Sequence, residues 1–290
     1  MREHEYDNTS TSGFARSKRR KKRFDDDEPR GAVRRRSAEE LSRSERGPWP
    51  QPEWLVTHPD TTDVELGILK TGKEADVHLI ERTGADGTTC LLAAKRYRKR
   101  EHRMFHRDAG YLDGRKVAES RQMRAMTHRT AFGRDVISAQ WAVAEFAALS
   151  KLWQAGAPVP YPVQLSDTEL LLEFLSEADG TAAPRLAQLR PEADELRGLW
   201  RQLVQALLDL AALGLTHGDL SPYNLLVHRG RLVLIDLPQA VDLVANPQAA
   251  TYLDRDVRGV CDWFRSRGLS PAVADEEWLV DLLSREAGLR

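Results

Sequence analysis

Leu215 to Asp242 reads LTHGDLSPYNLLVHRGRLVLIDLPQAVD, and this stretch decides the fold. An Arg-Gly-Arg sequence at 229–231 separates two short apolar runs, which predicts a β-hairpin with a glycine in its turn. A hairpin brings its two ends together. We therefore expect Asn224 and Asp236 to lie side by side, with Asp219 just outside them.

These three polar groups have the chemistry of a phosphoryl-transfer site. An amide oxygen and a carboxylate at one point form a hard-oxygen site, which suits Mg²⁺ that still carries water and phosphate ligands. A second carboxylate nearby can accept the proton of an attacking hydroxyl group. Asn224 and Asp236 are therefore the candidate metal ligands and Asp219 is the candidate base. Taken singly, each residue also fits an ordinary role as a helix cap, a turn former or a packed side chain.

The same stretch resembles the RIO family of atypical protein kinases and ATPases. That family has H-x-D-L-S-x-x-N followed by I-D-x-x-Q; here His217 to Asn224 read HGDLSPYN, and Ile235 to Gln239 read IDLPQ. The resemblance extends over about residues 64–267. It implies an α+β, two-lobed protein-kinase-like fold, with a small β-rich N-lobe and a mostly helical C-lobe. In an ordinary kinase Arg would follow the His, Lys would replace Ser221, and Phe-Gly would follow the metal-binding Asp.

Two further motifs continue the resemblance towards the N-terminus. The loop KTGKEA at 70–75 joins two predicted strands and matches the family's phosphate-loop pattern, which places Thr71, Gly72 and Lys73 over the nucleotide phosphates. A third predicted strand, 90–97, carries Lys95 as the candidate for gripping the α- and β-phosphates.

The kinase order of motifs predicts a partner for this lysine. Residues 133–154 have apolar residues at helical spacing, and Glu145 lies inside that predicted helix. Kinases need such a glutamate to hold the lysine in place. A solvent-facing helix glutamate is the ordinary alternative.

The link between the lobes is expected at 172–175. An adenine ring would pair there with the carbonyl of Glu173 and the N–H of Leu175. Residues 179–186, DGTAAPRL, resemble the segment that follows this hinge in the family. Ser221, in the catalytic-loop motif, completes the predicted nucleotide-binding set.

The C-lobe is predicted to contain three helices. The clearest covers 192–213, a second starts at an N-cap formed by Asn246, and a third covers about 275–286. Only ten residues separate Asp236 from Pro247, too few for the activation segment and substrate platform of an ordinary kinase. Asp256 is the candidate acid for anchoring the catalytic-loop backbone.

Composition and charge set the wider organisation. Two cysteines imply no disulfide framework, and the sequence has neither an apolar signal region nor a membrane-spanning run, so we expect a cytoplasmic protein without a membrane partner. Residues 1–50 are expected to be a disordered charged tail. The kinase domain should occupy 51–290, with an N-lobe at about 54–172, a basic flexible insert at about 98–132, and a C-lobe at about 176–290.

Two basic segments suggest an anionic partner. Residues 1–50 hold 14 Lys and Arg against 10 Asp and Glu, and residues 95–134 hold 13 against 4, although the net charge of the chain is −1. Contact with RNA or the ribosome is one interpretation, and a solvated tail is another. In RIO1-type members the insert is a site of autophosphorylation, which makes Ser120, Thr127 and Thr130 candidate acceptors.

The activity implied by the resemblance is transfer of the γ-phosphoryl group of ATP with Mg²⁺, or with Mn²⁺ as an alternative. The chain would be a non-specific serine/threonine protein kinase that phosphorylates proteins or itself, at Ser/Thr or at Asp236, or an ATPase. Two other functions stay open. One is a small-molecule phosphotransferase of the aminoglycoside-kinase type, which shares H-G-D-L-x-x-x-N. The other is an assembly factor that binds RNA or the ribosome and uses ATP as a switch, or lacks catalysis altogether.

Overall fold

A computed structural model of the 290-residue chain describes residues 33–37, 42–58, 60–98 and 131–289. Most of the basic insert, its acceptor candidates Ser120, Thr127 and Thr130, and residues 1–32 of the predicted tail lie outside these ranges. Across the described ranges, every helix is too short or too polar to cross a membrane.

The N-lobe is built on one antiparallel sheet of six strands. Their order is β1-β2-β3-β4-β6-β5. The strands are β1 (Val33–Ser37), β2 (Asp60–Thr71), β3 (Ala75–Gly84), β4 (Thr89–Tyr97), β5 (Pro162–Ser166) and β6 (Glu169–Glu173). Buried and less buried residues alternate along much of β3, as expected for a strand with two different faces.

The register of this sheet decides which side chains meet the C-lobe. Lys70 lies opposite Val77, and Val77 lies opposite Lys95. Directly paired residues of antiparallel strands point to the same face of a sheet. Lys70 therefore shares a face with Lys95, and we call this the cleft face.

The prediction that the chain is disordered up to residue 50 is wrong for its described part. β1 pairs with β2. Further along, the N–H of Gly47 donates to Val163 in β5 at 3.0 Å, and the hydroxyl of Tyr161 donates to the carbonyl of Pro48 at 2.8 Å. The segments at 33–37 and around Gly47 each lie against a strand at one edge of the sheet. The free N–H and C=O groups of such a strand can bond to another segment regardless of that segment's side chains.

Helices form the C-lobe and bind it to the N-lobe. They are α1 (Ala131–Gln154), α2 (Ala193–Ala212), α3 (Ala249–Ser266) and α4 (Glu276–Glu286). One apolar core joins Leu149 and Leu152 of α1 with Leu203 of α2 and Phe264 of α3. The predicted helices at 192–213 and about 275–286 are confirmed to within a residue or two at each end.

The start of α3 corrects one expectation. Its N-cap is Gln248, not Asn246. The side chain of Asn246 accepts the N–H of Gln248 at 2.8 Å, so it caps a turn that precedes the helix. Asn-Pro is common both in turns and at the start of helices, so the sequence alone does not show which of the two structures forms here.

The predicted hairpin is present. Strand β8 (Leu225–His228) pairs with β9 (Arg231–Leu234) through a two-residue turn in which both residues have positive φ. The side chain of Gln202 in α2 bonds the N–H of Leu232 at 2.9 Å and the carbonyl of Gly230 at 3.0 Å. The hairpin is therefore fixed to the central helix. The short strands β7 (Leu215–Thr216) and β10 (Val241–Asp242) pair beside it.

Candidate functional site

The centre of the candidate site is a lysine held between two carboxylates. Nζ of Lys95 lies 2.7 Å from Oε1 of Glu145 and 2.6 Å from Oδ1 of Asp236. The Glu145 side chain is 1% exposed, so this is not the solvent-facing helix glutamate of the alternative interpretation. The three residues come from β4, α1 and the end of the hairpin, and the structure brings them together as the motif order predicts.

Opposite charges keep Lys95 and Asp236 ionised. Burial alone would lower the pKa of Lys95, but Asp236 and Glu145 outweigh it and raise that pKa well above its usual range. The positive charge of Lys95, against the effect of burial, lowers the pKa of Asp236 to about 2. Asp236 is therefore a carboxylate throughout the physiological pH range, as a metal ligand or a nucleophile must be.

Tyr97 belongs to the same cluster, and the sequence analysis missed it. Its hydroxyl donates to Oε2 of Glu145 at 2.5 Å, and the N–H of Leu237 donates to Oε1 at 3.1 Å. Burial and the neighbouring Glu145 raise the pKa of Tyr97 well above its usual range. Strand alternation could have identified this residue, because Tyr97 lies two positions after Lys95 and so on the same face.

The catalytic loop is anchored by Asp256, as expected. The carboxylate of Asp256, which is 1% exposed, accepts the N–H of Gly218 at 2.6 Å, the N–H of Leu220 at 2.9 Å and the hydroxyl of Thr216 at 3.1 Å. Burial raises the pKa of Asp256 despite these donors. Asp219 lies between the two anchored backbone groups, so α3 fixes the position of the candidate base.

Replacing Asp256 by Asn is expected to lower the free energy of unfolding by about 2 kcal/mol, because an amide has one acceptor oxygen and would leave buried donors unsatisfied. Chemical denaturation of the purified variant measures this. Asp262→Asn, at an exposed position of the same helix, is the charge-matched control and should stay within about 0.5 kcal/mol of the parent. Equal loss in both variants would contradict the anchoring role.

The ends of the hairpin meet at the predicted metal ligands. The N–H of Ile235 donates to the backbone carbonyl of Asn224 at 3.0 Å, which brings Asn224 next to the residue before Asp236. The side-chain Nδ2 of Asn224 donates to the carbonyl of Asp219 at 2.9 Å. This fixes the amide and leaves its oxygen, Oδ1, as the atom that can bind a cation.

The donor set fits a magnesium ion shared with phosphates. Among the described residues, there is no group of three or more His, Cys, Asp or Glu side chains that could hold a metal. An ion at Asn224 and Asp236 would therefore take one amide and one carboxylate from the protein and its other ligands from water and phosphate, as Mg²⁺ does.

The predicted phosphate loop forms the tight turn between β2 and β3. The N–H of Gly72 donates to the carbonyl of Ala75 at 3.0 Å, and a Cβ at position 72 would lie 2.7 Å from the same oxygen. Thr71 and Lys73 flank this glycine and are exposed. They lie at the end of the strand that contains Lys70.

Hydrogen bonds connect the segment after the predicted hinge to the catalytic hairpin. After β6, the N–H of Ala183 donates to the carbonyl of Leu175 at 2.9 Å, and Nε2 of His228 lies 2.9 Å from the carbonyl of Ser176. The side chain of Glu173 accepts the N–H of Tyr161 at 3.0 Å, so its carboxylate serves the fold. Ser221 is half-buried, and its carbonyl accepts the N–H of Asn224 at 2.9 Å.

Comparison with known proteins agrees with this geometry. The sequence profile of the RIO domain matches residues 85–277, which is more than half of the chain. The chain belongs to the RIO family. Lys95, Glu145, Asp219, Asn224, Asp236 and Asp256 all lie within the matched residues.

RIO kinases from archaea and fungi are similar over most of this chain. The RIO-type serine/threonine-protein kinase Rio1 of Haloferax volcanii is 36% identical over 231 residues, covering 77% of this chain and 69% of the relative. The serine/threonine-protein kinase RIO1 of Saccharomyces cerevisiae is 30% identical over 236 residues, covering 74% of this chain but only 47% of the relative. These similarities place the chain among the RIO-type serine/threonine-protein kinases.

Solved structures show the same fold. Two crystal structures of the Rio2 kinase from Chaetomium thermophilum each have a TM-score of 0.51 and cover 78% of this chain. One is an ADP/Mg²⁺-phosphoaspartate complex; it is 21% identical and is covered over 67% of its length. The other is 22% identical and is covered over 69%. The two-lobed, kinase-like α+β fold is therefore confirmed.

Proposed function

We propose that this RIO kinase transfers the γ-phosphoryl group of ATP, with Mg²⁺, to Ser or Thr residues of a protein or of itself, or to water. The observation that supports this most strongly is the contact of Lys95 with both Glu145 and Asp236, because Asp236 follows the residue that bonds Asn224 and Asn224 in turn bonds the carbonyl of Asp219. Phosphoryl transfer needs mainly positioning and charge neutralisation. This arrangement offers both.

Each residue receives a defined role. Lys95, held by Glu145, grips the α- and β-phosphates, and Asn224 and Asp236 hold the metal. When bound, Mg²⁺ neutralises charge on the β- and γ-phosphates. Asp219 orients the acceptor hydroxyl or water and accepts its proton. The remaining predicted nucleotide contacts are the loop residues Thr71, Gly72 and Lys73, the Glu173 carbonyl and Leu175 N–H for adenine, and Ser221.

Nucleotide binding must rearrange one contact. Nζ of Lys95 lies 2.6 Å from Oδ1 of Asp236, which is also the proposed metal ligand. A bound nucleotide brings phosphate oxygens to Lys95 and a cation to Asp236. Lys95 then exchanges a carboxylate for another anion, and Asp236 exchanges an ammonium group for another cation. The site stays electrostatically balanced with and without Mg²⁺·ATP.

The short connection after Asp236 bears on the acceptor. Only ten residues lead to Pro247, and Val241 pairs back onto Thr216 within this connection. Little chain is left to hold an acceptor peptide. We therefore propose autophosphorylation or ATP hydrolysis as the main outcome. A phosphoaspartate at Asp236 is a third possible product, since the Rio2 complex described above contains a phosphoaspartate.

Incubation of the purified chain with γ-labelled ATP and Mg²⁺, followed by intact-mass analysis, tests the function. We expect label to appear as free phosphate, on the protein, or in both. Acid-stable phosphoprotein indicates Ser or Thr, and phosphate released by hydroxylamine indicates an acyl phosphate, which peptide mapping then assigns to Asp236 or to another carboxylate. No label in either pool, with intact ATP remaining, would overturn the proposed function. Replacing Mg²⁺ by Mn²⁺ in parallel tests the alternative metal.

Replacing Asp236 by Asn is expected to weaken Mg²⁺-dependent ATP binding at least tenfold, because the carboxylate is the only charged ligand that the proposed metal site contains. Titration calorimetry with a non-hydrolysable ATP analogue, with and without Mg²⁺, measures the effect. The affinity without Mg²⁺ should not fall, because the variant removes a negative charge near the phosphates. An equal loss in both titrations would contradict the metal role.

A further proposal concerns a partner. The excess of Arg and Lys at 95–134 supports a contact with RNA or the ribosome. A filter-binding titration with ribosomal RNA at two salt concentrations tests this contact, since phosphate contacts weaken steeply with salt.

A further inference from the structure

A second lysine faces the site from the N-lobe. Lys70 pairs with Val77, and Val77 pairs with Lys95, so the side chain of Lys70 projects from the cleft face of the sheet. Two strand spacings of about 4.8 Å put the backbones of the two lysines roughly 10 Å apart. Lys70 is the first residue of the predicted phosphate loop at 70–75 and directly precedes Thr71. It therefore extends the positive charge of the cleft face from Lys95 to that loop.

An arginine faces the site from the C-lobe. Arg185 forms an isolated antiparallel bridge with Leu226 of the catalytic hairpin, and its N–H donates to the side chain of Gln188 at 2.9 Å. Its guanidinium donates to the backbone carbonyl of Tyr223, the residue before the metal-ligand candidate Asn224. The backbone of Arg185 is thus held at two points, and its charge lies at the floor of the cleft beside the catalytic loop.

Both cations lie near the same carboxylate. Burial lowers the pKa of Lys70, and the nearby charge of Arg185 lowers it further, while Asp236 acts in the opposite direction. Burial also lowers the pKa of Arg185, again against the effect of Asp236. Lys70 on the cleft face and Arg185 beside the catalytic loop are therefore both neighbours of Asp236, one from each lobe.

In the part of the chain that the structure describes, neither Lys70 nor Arg185 forms a salt bridge. Their common neighbour Asp236 is already bonded to Lys95. Lys70 is exposed and Arg185 is half-buried. Two cations beside one cleft, without carboxylate partners of their own there, favour the binding of an anion with charge spread over several oxygens.

We propose that Lys70 and Arg185 form a two-sided cation clamp for the polyphosphate chain of the nucleotide, in addition to Lys95 and the loop residues Thr71, Gly72 and Lys73. The clamp deepens the proposed function and depends on it, since it assumes that a nucleoside triphosphate occupies this cleft. Because its two members belong to different lobes, a phosphate chain bound between them also draws the lobes together.

Calorimetric titration of the full chain with adenosine and with a non-hydrolysable ATP analogue plus Mg²⁺ tests the clamp. Lys70→Gln and Arg185→Gln are each expected to weaken binding of the analogue about tenfold, because charge-assisted hydrogen bonds contribute on the order of 1.5–3 kcal/mol. Adenosine affinity should stay at the parent value. Lys70→Arg should retain most of the affinity for the analogue, because it keeps the charge.

Arg231→Gln is the matched control. It removes one positive charge from the exposed turn end of the same hairpin, and it should bind both ligands like the parent. Parent-like binding of the analogue by Lys70→Gln and Arg185→Gln would overturn the clamp and leave the proposed function standing. An equal loss of adenosine affinity would overturn it too, since it would show damage to the cleft. A parent protein that binds no analogue would overturn both the clamp and the proposed function.

Discussion

Replacing Asp219 by Asn is expected to slow phosphoryl transfer by about 10²–10⁴-fold, the range that a positioned general base contributes. ATP affinity should change little, because no role in nucleotide or metal binding is assigned to this carboxylate. The rate of γ-phosphate loss in a single turnover gives the first quantity. Titration with a non-hydrolysable ATP analogue gives the second.

The structure makes this substitution a clean test of chemistry. The loop around Asp219 is held through its backbone: the neighbouring N–H groups of Gly218 and Leu220 donate to Asp256, and the carbonyl of Asp219 itself accepts from Asn224. None of these bonds needs the Asp219 carboxylate. Asn has nearly the same shape, so the loop should keep its position while losing its proton acceptor.

Asp254→Asn is the control for the loss of one negative charge near the site. Asp254 is exposed on α3, two residues before the anchoring Asp256, and its removal should leave the rate of transfer within about twofold of the parent. If Asp219→Asn turned over ATP at the parent rate, Asp219 would not be the base. If it lost ATP binding instead, its carboxylate would belong to the metal site.

Two kinds of feature could be predicted from the sequence. One is an element marked by nearby residues, such as a turn, and the other is a contact fixed by the order of motifs along the chain. Asn224 and Asp236 could be paired because Arg229-Gly230 marks a two-residue turn, and any hairpin of that length joins its ends. Lys95 and Glu145 are 50 residues apart in sequence. Their contact was predictable only because the kinase order of motifs fixes which strand and which helix must meet.

The elements that the sequence missed depend on contacts between distant segments. The charged stretch at 33–37 pairs with β2 through backbone groups, which its side chains do not reveal. Arg185 lies in the segment after the hinge, whose sequence pattern assigns it no contact. The proposed role of Arg185 depends on its bridge to Leu226. The proposed role of Lys70 depends on a register shift between Ile68 and Lys70, which turns Lys70 towards the cleft. A register shift of one residue reverses the face, and sequence alternation alone does not locate it.

Replacing Lys95 by Met is expected to lower the free energy of unfolding by about 3–5 kcal/mol at pH 8, because it removes the partner of two carboxylates and leaves Glu145 as a buried uncompensated charge. Chemical denaturation at several pH values measures this. Removing a buried cation is far more costly than removing an exposed one such as Arg231, whose replacement should change stability by less than about 0.5 kcal/mol.

The pH dependence of this loss identifies its cause. In the parent, the raised pKa of Lys95 keeps its contribution fully present below about pH 10, where the unfolded lysine titrates, and the contribution of Asp236 is lost only as the pH falls from about 4 towards 2. Between pH 5 and pH 8 these groups therefore add no slope. In the variant, a buried carboxylate without its cation takes up a proton that the unfolded chain does not bind. Stability then falls as the pH rises, so the loss at pH 8 should exceed the loss at pH 5.

A second substitution separates charge from packing. Adding Glu145→Gln to Lys95→Met removes the uncompensated charge. Tyr97 and the N–H of Leu237 donate to different oxygens of Glu145, so the amide keeps an acceptor for only one of them. The double variant should recover part of the lost stability and lose most of the pH slope between pH 5 and pH 8. If the double variant were as unstable as the single one at every pH, the cost of losing Lys95 would lie in packing. The balance of charges among Lys95, Glu145 and Asp236 would then not be what holds the lobes in register.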